Sequence, residues 1–482
     1  MATTTKSARK IVISPVTRIE GHGKVTIHLD AKGAVEQARL HIVEFRGFER
    51  FVLGRLYWEV PVIIQRLCGI CPVSHLLAAA KAMDLIAGVD RIPRTAEKMR
   101  RLMHYGQIYQ SHALHFFHLA SPDLLLGIDS PPATRNVIGL VLKNPELATK
   151  AVLMRKWGQE IIKATAGKKI HGNGAIPGGI NKNLTIAERD FLAKDARQML
   201  AWAVEGLELF KGLYHKDAKN LAAFGSFESN FVSIVRPDGC LDLYDGLLRA
   251  KDPDGKVIFD GVKPADYAKY LGEEVRSWSY MKFPFIRSLG KEKGWYRVGP
   301  LARLNTCDRI DTPIAERERQ EFVKLGGKRP VHSTMAYHWA RLIEVVHAAE
   351  KIAELLADPD LQGTDLVATG ERRGSTAAWL EAPRGTLFHA YEVGPDDRVT
   401  RANLIVSTTN NNEPMNQAVA AVARSHLAGK KEITEGMLNA VEVAIRAYDP
   451  CLSCATHAVG RMPLVVSLHD SSGTEISRRT RE

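Results

Sequence analysis

Two cysteine pairs of identical spacing, Cys68-Gly-Ile-Cys71 and Cys451-Leu-Ser-Cys454, stand near opposite ends of the 482-residue chain, and His457 follows the second pair. Four soft thiolates drawn together select zinc, copper(I), nickel or iron, because a bound cation keeps the sulfurs ionised. A structural zinc site builds its two pairs within one small module, whereas these pairs bracket nearly the whole protein. A redox dithiol needs only one such pair and gives no reason for two. Spacing alone leaves structural zinc, a catalytic metal and redox pairs all open.

The residues around the pairs are more specific. They read Arg18-Ile19-Glu20-Gly21-His22, then Phe45-Arg46-Gly47-Phe48-Glu49, then Gln65-Arg66-Leu67-Cys68-Gly69-Ile70-Cys71 with His75 four residues on, and finally Asp449-Pro450-Cys451-Leu452-Ser453-Cys454-Ala455-Thr456-His457. This set, in this order and at both ends, resembles the large subunit of nickel-iron hydrogenases. The resemblance runs from about Ile11 to the C-terminus. The stretches 41–49, 278–284 and 447–457 are most similar to the cytoplasmic NAD-reducing, bidirectional type.

The resemblance implies a chemistry for each matched position. Heterolytic splitting of H2 needs a soft, electron-rich metal to accept hydride and a nearby base to take the proton. Cys68 and Cys451 would be terminal nickel ligands, and Cys71 and Cys454 would bridge nickel to an iron that also carries CO and cyanide. Glu20 would relay the proton from the Cys451 thiolate, a task suited to a carboxylate whose pKa burial has raised. Without the motif, Glu20 would be read as an ion pair with Arg18 or a helix cap. Arg384, in Glu381-Ala382-Pro383-Arg384-Gly385, would stand over the open coordination position, oriented by Asp123 and Asp449. Unassisted, those aspartates read as caps or turn residues. His75 would lie beside a bridging sulfur, and elsewhere it would pass for a core histidine. Glu49, His457 and a backbone carbonyl near Leu404 would hold magnesium, although imidazole is an unusual ligand for that ion.

The elements that must position these residues can be read from periodicity. Segments 10–16, 24–29 and 34–43 alternate apolar and polar residues and predict an N-terminal antiparallel sheet. Helical patterns cover 74–87, 95–119, 145–166, 185–216, 334–356, 413–427 and 434–447, with Thr185 and Glu188 forming a capping-box start. Residues 225–263, with turn signals at Pro237-Asp238-Gly239 and Pro253-Asp254-Gly255, predict a β-rich excursion. The expected fold is mainly α with smaller β portions, multihelical, as in the large subunits it resembles, with residues 1–457 one catalytic domain. The glycine-rich run 172–179 lacks the Lys-Ser/Thr of a phosphate loop, and Pro177 breaks a GxGxxG fingerprint. The chain is therefore not expected to bind a nucleotide. His171 to Gly179 matches a loop near the partner subunit or serves as a packed turn.

Composition narrows the classes further. With 45% hydrophobic and 25% charged residues the chain can bury a large core. No apolar run reaches about 18 residues, and the start, with Lys6, Arg9 and Lys10, lacks the apolar stretch of a secretory signal. A cytoplasmic location is expected. The net charge of +12 comes from scattered Lys and Arg, so it predicts a solvated surface facing acidic partner subunits and no nucleic-acid binding. Cys240 and Cys307 are left over as packing residues.

With no cluster motif beyond the four assigned cysteines, electrons must leave through partners. The resemblance implies an iron-sulfur small subunit and a diaphorase pair carrying flavin, iron-sulfur clusters and NAD. A related enzyme coupled to NADP, a deazaflavin coenzyme or another acceptor is the alternative. A metal-free subunit of the respiratory complex I type is a further class, but those relatives lack the thiol quartet. Beyond His457 run 25 more residues, Ala458 to Glu482. Similar hydrogenases lose such a tail to a maturation endopeptidase, which would lower side-chain charge from +12 to +11, since the tail carries four arginines against three acids. Its strand-like stretch 463–468 could hold Cys451 and Cys454 away from the N-terminal pair until metal arrives. The bland alternative is a C-terminal strand that stays.

Overall fold

The structure is a computed structural model that describes residues 9–457, 464–469 and 474–481. Strands β1 (Arg9–Ile13), β2 (Gly23–Leu29) and β3 (Val35–Ile42) form the antiparallel sheet that the alternation predicts. Val25, Ile27 and Leu29 of β2 are buried, one face of the sheet packing onto the interior.

Helix α1 (Pro72–Ile86) begins directly after the first cysteine pair, with Pro72 at its first position, where a missing N–H costs nothing. The helical core is built from α2 (Arg94–Leu114), α3 (Pro145–Ala166), α4 (Ile186–Lys216) and α5 (Ala336–Leu356), which pack against one another. The predicted capping box is present: Thr185 Oγ1 accepts from the Glu188 N–H at 3.2 Å, and Glu188 Oε2 accepts from the Thr185 N–H at 3.0 Å. Helices α2 and α3 approach closely at two glycines. A Cβ on Gly158 would meet the Gly106 carbonyl at 2.7 Å, so any larger residue would push the helices apart.

The predicted helix 95–119 ends earlier. After Leu114 the backbone widens into a π-helical turn, His115–Ala120, and then re-forms a helix at Ser121–Leu126 that carries Asp123. The β-rich excursion is a sheet of β4 (Asn230–Val235), β5 (Leu247–Lys251) and β6 (Val257–Val262), to which Tyr296–Arg297 adds in parallel.

A further sheet lies outside what periodicity predicts: Ser375–Ala382, Gly385–Val393 and Val399–Ile405 pair antiparallel. Residues 378–389 are buried throughout, so no polar alternation marks the first two strands. Two further helices, α6 (Asn412–His426) and α7 (Glu435–Ala447), lead to the second cysteine pair. The architecture is thus mainly helical with smaller β portions. Among the described residues no helix is long and apolar enough to cross a membrane.

In the tail, Leu464–His469 pairs antiparallel with Glu475–Arg481. Among the described residues it joins no other sheet, while the four cysteines already lie together. The strand expected to hold them apart pairs instead within the tail hairpin, with the four cysteines already together. Arg461, Asp470 and Glu482 lie outside the described residues.

Candidate metal centre

Each cysteine is placed by a local backbone device. Cys68 ends a short 3-10 turn, Gln65–Leu67. The N–H groups of Ile70 and Cys71 point at its Sγ, at 3.2 and 3.1 Å. Cys71 sits at the N-terminus of α1, whose positive dipole end favours a thiolate. At the other end, α7 stops at Tyr448, Asp449 takes a left-handed conformation (φ 54°), and Pro450 turns the chain into Cys451. Cys451 is fixed from two sides. Its N–H donates to Thr408 Oγ1 at 3.0 Å, and it pairs with Glu20 in a parallel β-bridge, where the Leu452 N–H donates to the Glu20 carbonyl at 3.0 Å. Gly21 permits this approach: its φ is +82°, and a Cβ there would meet the Ser453 nitrogen at 2.8 Å.

These devices bring all four sulfurs within 4.8 Å of one another. Cys68 Sγ lies 3.0 Å from Cys71 Sγ and 3.3 Å from Cys451 Sγ. The thiols are free and at most 5% exposed. A disulfide would bring two sulfurs to about 2.05 Å; the observed spacing is instead that of donors able to share a cation. Burial pushes the Cys451 and Cys454 thiols well up, whereas hydrogen bonds from Cys451, Cys454 and Cys68 hold Cys71 well down. A bound cation would ionise all four.

Arg384 occupies the two-residue tip of the hairpin joining Ser375–Ala382 to Gly385–Val393, where Ala382 faces Gly385. A hairpin tip is ordinarily exposed; this one is driven inward and Arg384 is 3% exposed. Its Nε donates to the Asp449 carbonyl at 2.5 Å and its Nη2 to Asp449 Oδ1 at 3.0 Å. Nη1 is buried with no hydrogen-bond partner among the described residues. Burial works against the guanidinium's charge, but Asp449 and the sulfurs of Cys71, Cys451 and Cys68 outweigh it and hold its pKa above the ordinary value. Burial raises Asp449. An always-charged fork with an unpaired donor beside four thiols is a fixed positive wall for whatever they bind.

Asp123 is a correction. It accepts from Arg18 Nη2 at 2.5 Å, Arg446 Nη1 at 3.0 Å and Asn439 Nδ2 at 3.0 Å, and has no hydrogen bond to Arg384. Arg135 Nε also lies 3.5 Å from Asp123 Oδ1, so three guanidiniums and an amide surround this buried carboxylate. It braces the segment before Glu20 against α7.

His75 is 1% exposed, contributes to depressing the Cys71 thiol, and packs its ring 5.7 Å from that of His389. Glu20 is half-buried and accepts the Ser453 N–H on Oε2 at 3.1 Å. Its side chain does not pair with Arg18, whose guanidinium goes to Asp123 and the Leu119 carbonyl.

The expected magnesium corner is arranged differently. Glu49 is bound by Lys282 Nζ at 3.0 and 3.2 Å, and its Oε1 accepts the Leu404 N–H at 2.8 Å. His457 Nε2 contacts the Cys454 carbonyl at 3.0 Å, and burial pushes its pKa down to about 3. Lys282 already supplies the positive charge that Glu49 requires, so as they stand these residues are not an open cage for a divalent cation.

Sequence reasoning missed two neighbours. His171 contacts the Cys68 carbonyl at 2.9 Å from a left-handed backbone (φ 54°), and Thr408 anchors Cys451. A histidine in a glycine-rich loop was the only available signal for the first; Thr408 had none.

A four-thiol cluster of this kind agrees with what the chain is similar to. A family model described as nickel-dependent hydrogenase matches residues 46–129 and 245–457, and one described as HoxL-like matches residues 10–45. The chain is 49% identical to the NAD-reducing hydrogenase HoxS subunit beta of Cupriavidus necator, over 98% of this chain and 100% of that one. It is 46% identical to a chain of the F420-non-reducing hydrogenase vhu of Methanocaldococcus jannaschii, over 86% of this chain and 99% of that one. A solved NAD+-reducing [NiFe]-hydrogenase in the H2-reduced state superposes with a TM-score of 0.91 at 56% identity, covering 93% of this chain and 99% of the other. A Dm. baculatum [NiFeSe]-hydrogenase, at 24% identity and a TM-score of 0.76, covering 94% of this chain and 100% of the other, shares the fold. The chain therefore belongs to the nickel-dependent hydrogenase family, and Cys68, Cys71, Cys451 and Cys454 form its four-thiol cluster.

Proposed function

We propose that this chain is the catalytic large subunit of a hydrogenase that reversibly splits H2 and passes the electrons through partner subunits to NAD. The observation that carries the reading is the convergence of four buried thiols from both ends of the chain near the Arg384 guanidinium, whose charge three of them stabilise. The donor set fits a nickel-iron centre: thiolates are soft, and four of them match its demand for charge. When bound, that centre would supply the soft Lewis acid and redox couple at which H2 is cleaved, with CO and cyanide completing the iron.

The chain's own groups do the rest. Cys68 and Cys451 would be terminal donors, and Cys71 and Cys454 the shared ones. Arg384, held by Asp449, presents a fixed positive charge that costs no reorganisation during the reaction. Burial of the four sulfurs excludes water from the reacting atoms. Glu20, whose backbone pairs with Cys451, would take the proton released there. By the same resemblance, Glu49, His457 and the Leu404 carbonyl would hold magnesium.

The partners would be an iron-sulfur small subunit and flavin- and iron-sulfur-containing diaphorase subunits, and the location cytoplasmic. The similarity to NAD-reducing enzymes supports NAD over the alternatives. Residues 458–482 would be removed by an endopeptidase, leaving His457 as the last residue. The test is acceptor reduction by the purified complex under H2, with NAD, NADP and a deazaflavin offered separately. NAD is expected to be reduced fastest; faster reduction of another acceptor would displace NAD. Intact mass of the active complex should show a large subunit ending at His457, and a full-length chain in active enzyme would refute the processing.

A further inference from the structure

The end of α7 is gripped by side chains from three other elements. The Arg446 carbonyl accepts from His115 Nε2 at 2.7 Å, the Ala447 carbonyl from Arg341 Nη2 at 2.8 Å, and the Asp449 carbonyl from Arg384 Nε at 2.5 Å. The last carbonyls of a helix have no partners within it, and basic side chains are a common way to meet them. This end leads directly through Pro450 to Cys451.

Arg341 is more than such a cap requires. It is 0% exposed, and its hydrogen bonds go to the carbonyls of Ala447 and Tyr337 and to His338 Nδ1, none of them to a carboxylate. Burial lowers its pKa to about 10, with Asp449 the first group to oppose that and Glu344 the next, so it stays charged near neutrality. A neutral amide would satisfy the Ala447 carbonyl without burying a charge that no acid pairs by hydrogen bond.

The same face of α5 makes a second contact with this turn. Tyr337, one helical turn before Arg341, packs its ring 4.6 Å from that of Tyr448. His338 stacks on His115 at 5.6 Å and 12°, which ties α5 to the π-helical turn as well. That turn begins at His115 itself, and such turns are frequent at functional sites. Residues 446–448 are thus fixed from two sides, and the next residue, Asp449, is the one held at φ 54°. A residue other than glycine persists in the left-handed region only where its surroundings determine it.

Resting on the hydrogenase reading, we infer that Arg341 is a positioning residue for the metal centre: anchored on the Ala447 carbonyl, it fixes the left-handed turn from which Asp449 holds Arg384 near the thiols. His115 supports the same turn from the Arg446 carbonyl. Arg341 acts through Asp449 and Arg384, since its own hydrogen bonds reach neither of them nor a cysteine. A displacement of about 1 Å at a reacting group can cost about a hundredfold in rate, so a loosened turn should be felt at the cluster while the cluster itself is kept.

The test uses the intact, metal-loaded complex and reads infrared bands of metal-bound CO and cyanide beside H2 oxidation kinetics and nickel content. Arg341→Met keeps the length of the side chain and removes its donors and charge. It should displace the bands from their wild-type positions and lower kcat about tenfold or more, with KM for H2 and nickel content unchanged. Arg341→Lys restores a donor and the charge, and should return the bands and most of kcat. His115→Phe keeps a ring against His338 and removes the donor to Arg446, so a smaller displacement of the bands is expected, which keeps the inference testable if Arg341→Met does not fold. Wild-type bands and kcat in Arg341→Met, with only a lowered denaturation midpoint, would overturn the inference and leave Arg341 a helix cap. Wild-type bands in His115→Phe would do the same where Arg341→Met cannot be purified, as would an Arg341→Lys variant no better than Arg341→Met. In each of these cases the wild-type bands leave the hydrogenase reading standing, whereas their absence from the wild-type complex would remove that reading and the inference with it.

Discussion

Arg303 and Arg384 are two buried guanidiniums, and they differ in how much of their bonding capacity the protein uses. Arg303 engages all five donors: Nε and Nη2 bind Glu344 at 2.6 Å each, Nη1 binds Glu381 at 2.7 Å and the Ala382 carbonyl at 3.0 Å, and Nη2 also reaches the Pro383 carbonyl at 3.1 Å. Glu344 in turn accepts from His112, and Glu381 takes the Ile234 N–H and the Thr386 hydroxyl. Arg384 is held by Asp449 alone, and its Nη1 is unpaired. The first network closes on itself and is structural: it ties α5 to the hairpin whose tip carries Arg384. The second leaves one donor free near the thiols. Arg297 and Arg341 are also buried with unpaired donors, so what sets Arg384 apart is the cysteine sulfurs whose charge acts on it.

The contrast breaks most severely at the thiols. Cys451→Ser should lower H2 oxidation at least a thousandfold, about 4 kcal/mol of barrier, and strip nickel from the purified chain while circular dichroism stays native. Normal activity would remove the cluster from the reaction. Arginine exchange sharpens the contrast next. Arg384→Lys should cost about a hundredfold in turnover with nickel and iron content retained, because a lysine lacks the rigid fork. Arg303→Leu should instead cost about 3–5 kcal/mol of stability by leaving Glu344 and Glu381 buried and unpaired, read as a lowered denaturation midpoint. Loss of stability alone at Arg384, or of turnover alone at Arg303, would reverse the assignment of the two networks.

Titration separates the regions more gently. Burial, opposed by Glu344, lowers His112 to about 4, and burial likewise brings His104 and His347 to about 4. Between about 4 and 6.5 the unfolded chain binds more protons at these residues, so their contribution is full above pH 6.5 and is lost as pH falls toward 4. Burial raises Glu344 but Arg303 and His112 overcome it, setting it at about 2. Its contribution is present above its ordinary 4.5 and lost as pH falls toward 2. Urea midpoints should therefore decline below about pH 6.5 and again below about 4.5, and a flat profile from about 7 to 4 would contradict the neutral, buried histidines. The smallest effect belongs to the leftover thiols. Burial pushes Cys307 up to about 12, which keeps it neutral. Cys240→Ala and Cys307→Ala should each change stability by about 1 kcal/mol and leave the nickel content unchanged.

What could be read in advance followed from local rules. The β1–β3 alternation, the Thr185–Glu188 capping box, Pro450 as a helix stop and the paired CxxC spacing each act within a few residues, and each is where it was expected. The sheet at 375–405 was missed because its first two strands are buried along most of their length. At the site, the motifs marked Arg384, but nothing local shows that its hairpin tip turns inward onto Asp449. The hydrogen-bond partners of Asp123 and Glu49 were illegible for the same reason. Their partners, Arg446 and Lys282, lie more than 200 residues away, beyond the reach of any local sequence rule.

The central claim is that Cys68, Cys71, Cys451 and Cys454 hold a nickel-iron centre under Arg384. An infrared spectrum of the purified complex under hydrogen tests it most directly. Bands of CO and cyanide bound to iron are expected, shifting when H2 is replaced by argon, with one nickel per large subunit. One zinc per chain and no such bands would contradict the claim and return the four thiols to a structural role.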